Sequence, residues 1–475
     1  MRNQIFYKHI NQFHTLDWLA KCVERDRNAD RYDLTKRENL LAKSEFLQIL
    51  ADLAIRISNK NIKVQNKLPS NQDFIDFVDL YINTTDKYQS KFLKKYGIIA
   101  LASGFLSEQI KFQYPAINLF GRSYLLYGKY DTTIKKITGL TIVEIHTIYL
   151  LLTAIYEEKE RYVFKATDII TDTSSVLSEK NISLFLNFFA IDMKNYNSTL
   201  KRLNFSKDDL FSFRLVEKYP IIKIDNRYII PTFDNFLYSI TSNLYIHLLT
   251  HFAEIKKAEA YHTELGKEFE NYVELLTIQE FNNIDKADDI VKEGKRCEFI
   301  INYENTSIAV EVKKFAFLRD SIYKLNIDDL NTLLERQIIE AYKQIENTFQ
   351  YIEDEKDKIG IIVVLGDISM SSAIKDHLKE NFKNNNLIYD ERIIIMSIGN
   401  YELLLSNTPN NVIKILNKYL TTEKYQRGDI IQVISSLKLE LINPLLEKIY
   451  LDSIDEVFMD DNKTLEEERV TPASI

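Results

Sequence analysis

The stretch from Arg296 to Lys314 constrains the fold more than any other part of this 475-residue chain. Cys297 to Ile301 and Ser307 to Phe315 are apolar, β-branched runs, and the turn-prone segment Asn302-Tyr303-Glu304-Asn305-Thr306 separates them. That pattern predicts an antiparallel hairpin. A turn centred between Glu304 and Asn305 sets Glu298 opposite Glu311. Side chains alternate along a strand, so Glu311 and Lys313 share one face while Val310 and Val312 take the other. Facing carboxylates repel each other and add nothing to a sheet that only has to be stable. A divalent cation between them removes the repulsion, and a neighbouring ammonium can assist attack by water. The residues point to hydrolytic metal chemistry.

At these positions the chain resembles the PD-(D/E)XK nuclease superfamily, whose restriction-endonuclease-like fold carries an acidic residue on one strand and Glu-x-Lys on the next. Glu298 and Glu311-Val312-Lys313 stand in those places, with glutamate where the family usually has aspartate. Leu265 to Leu276 resembles the family's opening helix, and Glu270 matches a glutamate that often supports the metal or its water. Leu333 to Phe349 resembles the following helix, and Lys358 to Leu365 and Arg392 to Ile398 resemble the remaining strands. The resemblance spans residues 260–420.

It implies an α/β (α+β) C-terminal domain with a mixed central sheet, preceded by a large, mainly α-helical domain. It also implies a metal-dependent phosphodiester hydrolase, a DNA endonuclease before an RNA one, similar in architecture to restriction and anti-phage effectors. Oxygen ligands without imidazole or thiolate select Mg²⁺, with Mn²⁺ as a substitute. Glu298, Glu311 and the backbone carbonyl of Val312 would hold the ion, with Glu270 as a further ligand. Lys313 would orient water and stabilise charge developing on the phosphate. Lys292, Lys295 and Arg296 cluster just before Glu298 and can meet phosphate. Gln337 and Gln344 are seven apart, on one helical face, and can reach the site or the substrate backbone. Cutting both strands with one site per chain implies a homodimer.

Other readings account for the same residues: a hairpin with a solvated charged face, or a degenerate nuclease fold that binds nucleic acid or a partner without cutting. Surface glutamines and a solvated Glu270 are the plain versions of those assignments. Glu-x-Lys also occurs at Glu254-Ile255-Lys256 and Glu293-Gly294-Lys295, where no facing carboxylate accompanies it.

Net charge is −8, but Leu451 to Ile475 holds eight acidic residues against two basic ones, a net −6 that leaves −2 on the rest. A near-neutral body is compatible with a locally basic groove. Two cysteines, Cys22 and Cys297, are too few for a disulfide framework or a zinc module; Cys297 should lie on the apolar side of its strand as buried filler. The N-terminus lacks the apolar core of a signal peptide, and the apolar run from Leu140 to Tyr156 is interrupted by Glu144 and His146. The expectation is a cytoplasmic protein with no membrane partner. His247 and His251 are the one helically spaced histidine pair, without the glutamate of a zincin, and phosphate-loop and serine-hydrolase motifs are absent.

Four stretches follow: 1–205, mainly helical and suited to sensing or positioning a target; 206–258, a hairpin and connecting helix; 259–425, nuclease-like; and 426–475, a C-terminal helix and acidic tail. Apolar spacing predicts helices over Arg37–Ser58, Asn71–Ile82 with Ser70 as N-cap, Lys87–Phe112, Thr141–Arg161 and Val176–Met193. Lys91, Lys94 and Lys95 alternate with Tyr88, Phe92 and Tyr96, which reads as the polar and core faces of one helix, with cations and stacking rings for a nucleic-acid strand as the alternative. Two short strands should flank Asp225-Asn226, followed by one helix from Asn235 to His251.

Overall fold

The periodicities of the sequence become a mixed α/β fold in the computed structural model, which describes residues 2–28, 44–58, 68–96, 114–159, 163–173, 177–203, 215–314, 327–367, 371–381, 390–426 and 428–454. The chain divides into two compact units. One comprises Met1–Ser90, Leu119–His251 and Lys448–Ile475, and the other comprises Lys91–Asn118 and Phe252–Glu447.

The first unit is mainly helical. Its helix Ser44–Ile57 is covered on every side, with Leu47, Leu50, Ala51, Ala54 and Ile55 fully buried. The expected start of this helix, 37–43, lies outside the described residues. Gln48, Asp52 and Arg56 recur every fourth residue and form a buried polar stripe. Arg56 Nη1 donates to Asp52 Oδ2 at 2.7 Å, and the Tyr196 hydroxyl donates to Asp52 Oδ1 at 2.5 Å.

Ser70 caps the next helix reciprocally: its Oγ accepts from the Asp73 N–H at 3.1 Å, and Asp73 Oδ2 accepts from the Ser70 N–H at 2.7 Å. That helix continues past Ile82 to Tyr96. It includes the positions of Lys91, Lys94 and Lys95, but their side chains and residues 97–112 lie outside what is described. Ile142–Lys159 is helical as expected.

Two expectations change. The helix expected to reach Met193 covers Glu179–Phe189, and Ala190–Asp192 is instead β1, pairing in parallel with β2 (Ile221–Ile224). Pairing with a distant strand outweighs the local apolar spacing. β2 then pairs antiparallel with β3 (Arg227–Ile229) across the turn at Asp225-Asn226, where Asp225 takes φ 54°. The single helix expected over Asn235–His251 is two, Phe233–Ile240 and Leu244–Glu254. Between them lies Thr241-Ser242-Asn243, three residues whose side chains compete for backbone groups. Thr241 Oγ1 donates to the Leu237 carbonyl at 2.8 Å, and the Asn243 N–H reaches the Tyr238 carbonyl at 3.1 Å.

The second unit carries the hairpin. Helix α1 (Ala258–Glu280) precedes β4 (Ile284–Lys286), β5 (Phe299–Tyr303) and β6 (Thr306–Lys313). A crossover of α2 (Ile327–Leu334), a wide turn over Glu335–Ile339 and α3 (Glu340–Phe349) returns to β7 (Asp357–Val364). Then α4 (Ser371–Asn381) leads to β8 (Ile393–Ser397), and α5 (Ile398–Leu404), α6 (Pro409–Thr421), α7 (Glu423–Gln426) and α8 (Ile430–Ser436) follow.

The five strands lie in order β4-β5-β6-β7-β8, antiparallel across the first two joins and parallel across the last two. The hairpin register, Phe299 with Val310 through Tyr303 with Thr306, centres the turn between Glu304 and Asn305 as expected. Phe315, the expected end of the second strand, lies outside the described residues. One sheet face packs Ile300, Ala309 and Ile362 against Ile338, Tyr342 and Ile345 of the crossover. A Cβ at Gly360 would stand 2.8 Å from both Ile345 Cγ2 and Ile393 Cγ1, so this close approach depends on glycine. Helix α1 packs on β6 and is tied to α5 by Tyr272 donating to Glu402 Oε1 and by a Thr277–Tyr401 hydroxyl pair, each at 2.7 Å. Among the described residues no single helix is long and apolar enough to cross a membrane.

Candidate active site

β6 ends inside the second unit, and alternation along it brings Glu311 and Lys313 to one side. Lys313 Nζ donates to Glu311 Oε1, while Glu311 Oε2 is buried and has no hydrogen-bond partner. Glu311 is 0% exposed, so its charge is expensive to hold there. Burial pushes its carboxyl up to about 8; the Lys313 ammonium opposes this, and the charges of Glu298 and Glu270 add to it.

Glu298 and Glu270 belong to the same electrostatic neighbourhood. Burial is the main cause raising Glu298, with Glu270 adding and Lys313 opposing. Burial likewise raises Glu270, in α1, against Lys313, Lys267 and Lys286. Three carboxyls therefore sit within mutual influence around one lysine. Each is harder to ionise than an ordinary glutamate.

The position of Glu298 differs from expectation by one residue. Its N–H donates to the Val310 carbonyl at 3.0 Å, yet Val310 pairs with Phe299 in the ladder. Two residues of one strand meet one of the other, which is a β-bulge, so Glu298 precedes the paired stretch instead of directly facing Glu311. The bulge has a visible result: Cys297 and Ile300, three apart, lie in the same core beside Ala309, where strict alternation would separate them. Cys297 is the buried filler expected, and burial pushes its thiol up to about 12.

Val312 is paired with Val363 between the two strands, its side chain buried. Lys314 Nζ donates to the His262 carbonyl, tying the end of β6 to α1. Lys292 is exposed and donates to the Asp289 carbonyl at 3.2 Å. Lys295 pairs with Glu340 at 2.6 Å and Arg296 with Asp288, so a carboxylate matches both charges. Gln344 Nε2 donates to the Arg296 carbonyl at 2.8 Å. Gln337 falls inside the wide turn Glu335–Ile339, where the hydrogen-bond step is longer than in the α-helix that carries Gln344.

A further group of residues supports the site from α3. Asn347 Nδ2 donates to the carbonyls of Glu293 and Lys295 at 2.9 and 2.8 Å, and Thr348 Oγ1 accepts from the Cys297 N–H at 3.2 Å. With Gln344 they pin the loop that delivers Glu298. Gly294, at φ 83°, lies so near Asn347 that a Cβ would stand 2.9 Å from its Nδ2. The only trace in the sequence is polar residues at 344, 347 and 348, one helical face toward the loop.

For a metal, the donor chemistry is oxygen alone, and Glu311 Oε2 is a buried acceptor that a cation would satisfy. Among the described residues, however, no group of three or more His, Cys, Asp or Glu side chains forms a ready cage. Glu298, Glu311 and main-chain oxygen would have to share the ion with water, as a reluctantly dehydrated Mg²⁺ permits. The chain matches no protein-family model, no curated protein and no solved structure.

Proposed function

We propose that the protein is a metal-dependent nuclease that hydrolyses phosphodiester bonds, with DNA as substrate, through a restriction-endonuclease-like domain in the second unit. The observation that carries this reading is Glu311: a fully buried carboxyl with one oxygen on Lys313, the other without a partner, and two further carboxyls nearby. A sheet gains no stability from this arrangement, and a site that binds a cation does.

Glu298, Glu311 and the main-chain oxygen of Val312 would hold Mg²⁺ or Mn²⁺, with Glu270 as a further ligand. When bound, the ion polarises the phosphate and eases deprotonation of water. Lys313, already held on Glu311 Oε1, places an ammonium where negative charge builds on the phosphate oxygens. Glu311 keeps a proton at neutral pH and gives it up as the site loads, so loading strengthens as pH rises toward 8. Exposed Lys292 adds cationic charge on the loop before Glu298. A cytoplasmic defence role and a homodimer for double-strand cutting complete the proposal.

Purified protein with Mg²⁺ or Mn²⁺, incubated with plasmid, single-stranded DNA and RNA, tests it. Cleavage that Glu311→Ala and Lys313→Ala abolish, with circular dichroism unchanged, is the expected result. Equal cleavage by all three proteins removes the assignment.

A second reading has its own support. The lack of a three-ligand cage among the described residues, and a lysine already on Glu311, favour a protein that binds nucleic acid or a partner without cutting. It predicts no thermal shift with Mn²⁺, whereas the nuclease shows an upward shift that Glu298→Ala loses.

A further inference from the structure

Apart from the carboxyl cluster, the second unit has an open cavity of about 640 Å³ lined by Lys424, Tyr425, Ile431, Gln432, Ser435 and Ser436. The lining offers an ammonium, three hydroxyls and an amide, with no carboxylate. Lys418, on α6, supplies another ammonium beside it. Its Nζ donates to Ser436 Oγ at 3.0 Å and lies 5.4 Å from the centre of the Tyr425 ring. Lys424 Nζ lies 5.9 Å from the same ring. The charges of Lys295, Arg296, Lys379 and Arg392 in this unit are all matched by carboxylates. Among the described residues neither Lys418 nor Lys424 has such a partner.

We infer that this concavity, between α6, α7 and α8, is a phosphate-binding subsite that holds the phosphate group of a nucleic-acid strand. The inference rests on the nuclease reading for its choice of ligand and deepens it. Two ammonium groups beside the Tyr425 and Ser435 hydroxyls and the Gln432 amide supply charge and hydrogen-bond donors to an oxyanion, while Ser436 Oγ donates to the Val433 carbonyl at 2.7 Å and serves to hold Lys418. A hydrogen bond with Ser436 is the main cause lowering the Tyr425 phenol below its usual range; burial opposes it, and the charges of Lys418 and Lys424 add to the lowering. A backbone phosphodiester and a free phosphate share this chemistry, and the experiment separates them.

The test uses the full chain in EDTA, so that nothing is cut, with a fluorescein-labelled oligonucleotide of mixed sequence and with inorganic phosphate as competitor. Lys418→Gln/Lys424→Gln should weaken oligonucleotide binding by about tenfold at low salt and reduce the slope of log affinity against log salt by about 2. Lys135→Gln/Lys136→Gln, which removes the same charge from exposed positions of the first unit, should leave that slope near wild type. If millimolar phosphate fails to compete, the occupant is a polynucleotide phosphodiester. If phosphate competes in wild type and loses its effect in the double variant, the subsite takes free phosphate as well.

The inference is overturned if the double variant binds oligonucleotide and phosphate like wild type, if the control pair loses as much, or if wild type binds neither. Adding Mg²⁺ distinguishes the two readings. Selective loss of binding with no cleavage by any protein removes the nuclease alone. Cleavage by a wild type whose binding the Lys418/Lys424 change leaves intact removes the subsite alone.

Discussion

Glu311 couples the protein's stability to pH. Its folded-state pKa of about 8 lies above the ordinary 4.5, so between those values the folded chain keeps a proton that the unfolded chain has lost. Stability from this group is complete below pH 4.5, falls as pH rises, and is lost by pH 8. The full effect is on the order of 5 kcal/mol by linkage. Urea titrations at pH 5, 6.5 and 8 should show this decline in wild type, and Glu311→Gln should flatten it while abolishing cleavage. An unchanged slope in the variant would assign the proton to another group. On the proposed nuclease reading Mn²⁺ would displace the same proton, so the concentration giving half of its thermal stabilisation should fall as pH rises from 6 to 8.

At the level of elements, the loop carrying Glu298 is fixed by α3 as much as by the sheet. Asn347→Ala removes two bonds to main-chain carbonyls and should cost about 1–2 kcal/mol. Because Asn347 acts by positioning, its loss should lower kcat with Mg²⁺ while leaving oligonucleotide affinity in EDTA unchanged. Gly360→Ala wedges a methyl group between Ile345 and Ile393 and should cost about 1–3 kcal/mol in denaturant unfolding, without a selective effect on metal binding.

These elements also separate what the sequence discloses from what it hides. The hairpin, its turn and the shared side of Glu311 and Lys313 follow from alternation and turn chemistry, which are local. The bulge at Glu298, the wide turn that contains Gln337 and the strand Ala190–Asp192 do not. Each depends on a partner distant in sequence or on one extra backbone residue, and neither leaves a mark in residue type. The break at Thr241-Ser242-Asn243 does leave a trace, a cluster of backbone-competing side chains, but the apolar spacing on either side carries the stronger signal of one continuous helix.

For the molecule as a whole, charge is unevenly distributed along the chain. Residues 455–475, outside the described structure, hold seven acidic and two basic side chains, a net −5 of the total −8. A chain ending after Ile454 should bind the labelled oligonucleotide more tightly at low salt, with the difference disappearing at high salt as screening shortens the range of repulsion. Equal affinity at low salt would show that the tail does not act on the partner. The first unit ties its middle segment to its last: the Phe120 and Tyr450 rings stack at 4.9 Å and 12°. During synthesis the ribosome releases Tyr450 some 330 positions after Phe120. The nascent helical half must therefore wait, with that aromatic surface uncovered, until the intervening half has emerged, and this interval is when a chaperone would matter most.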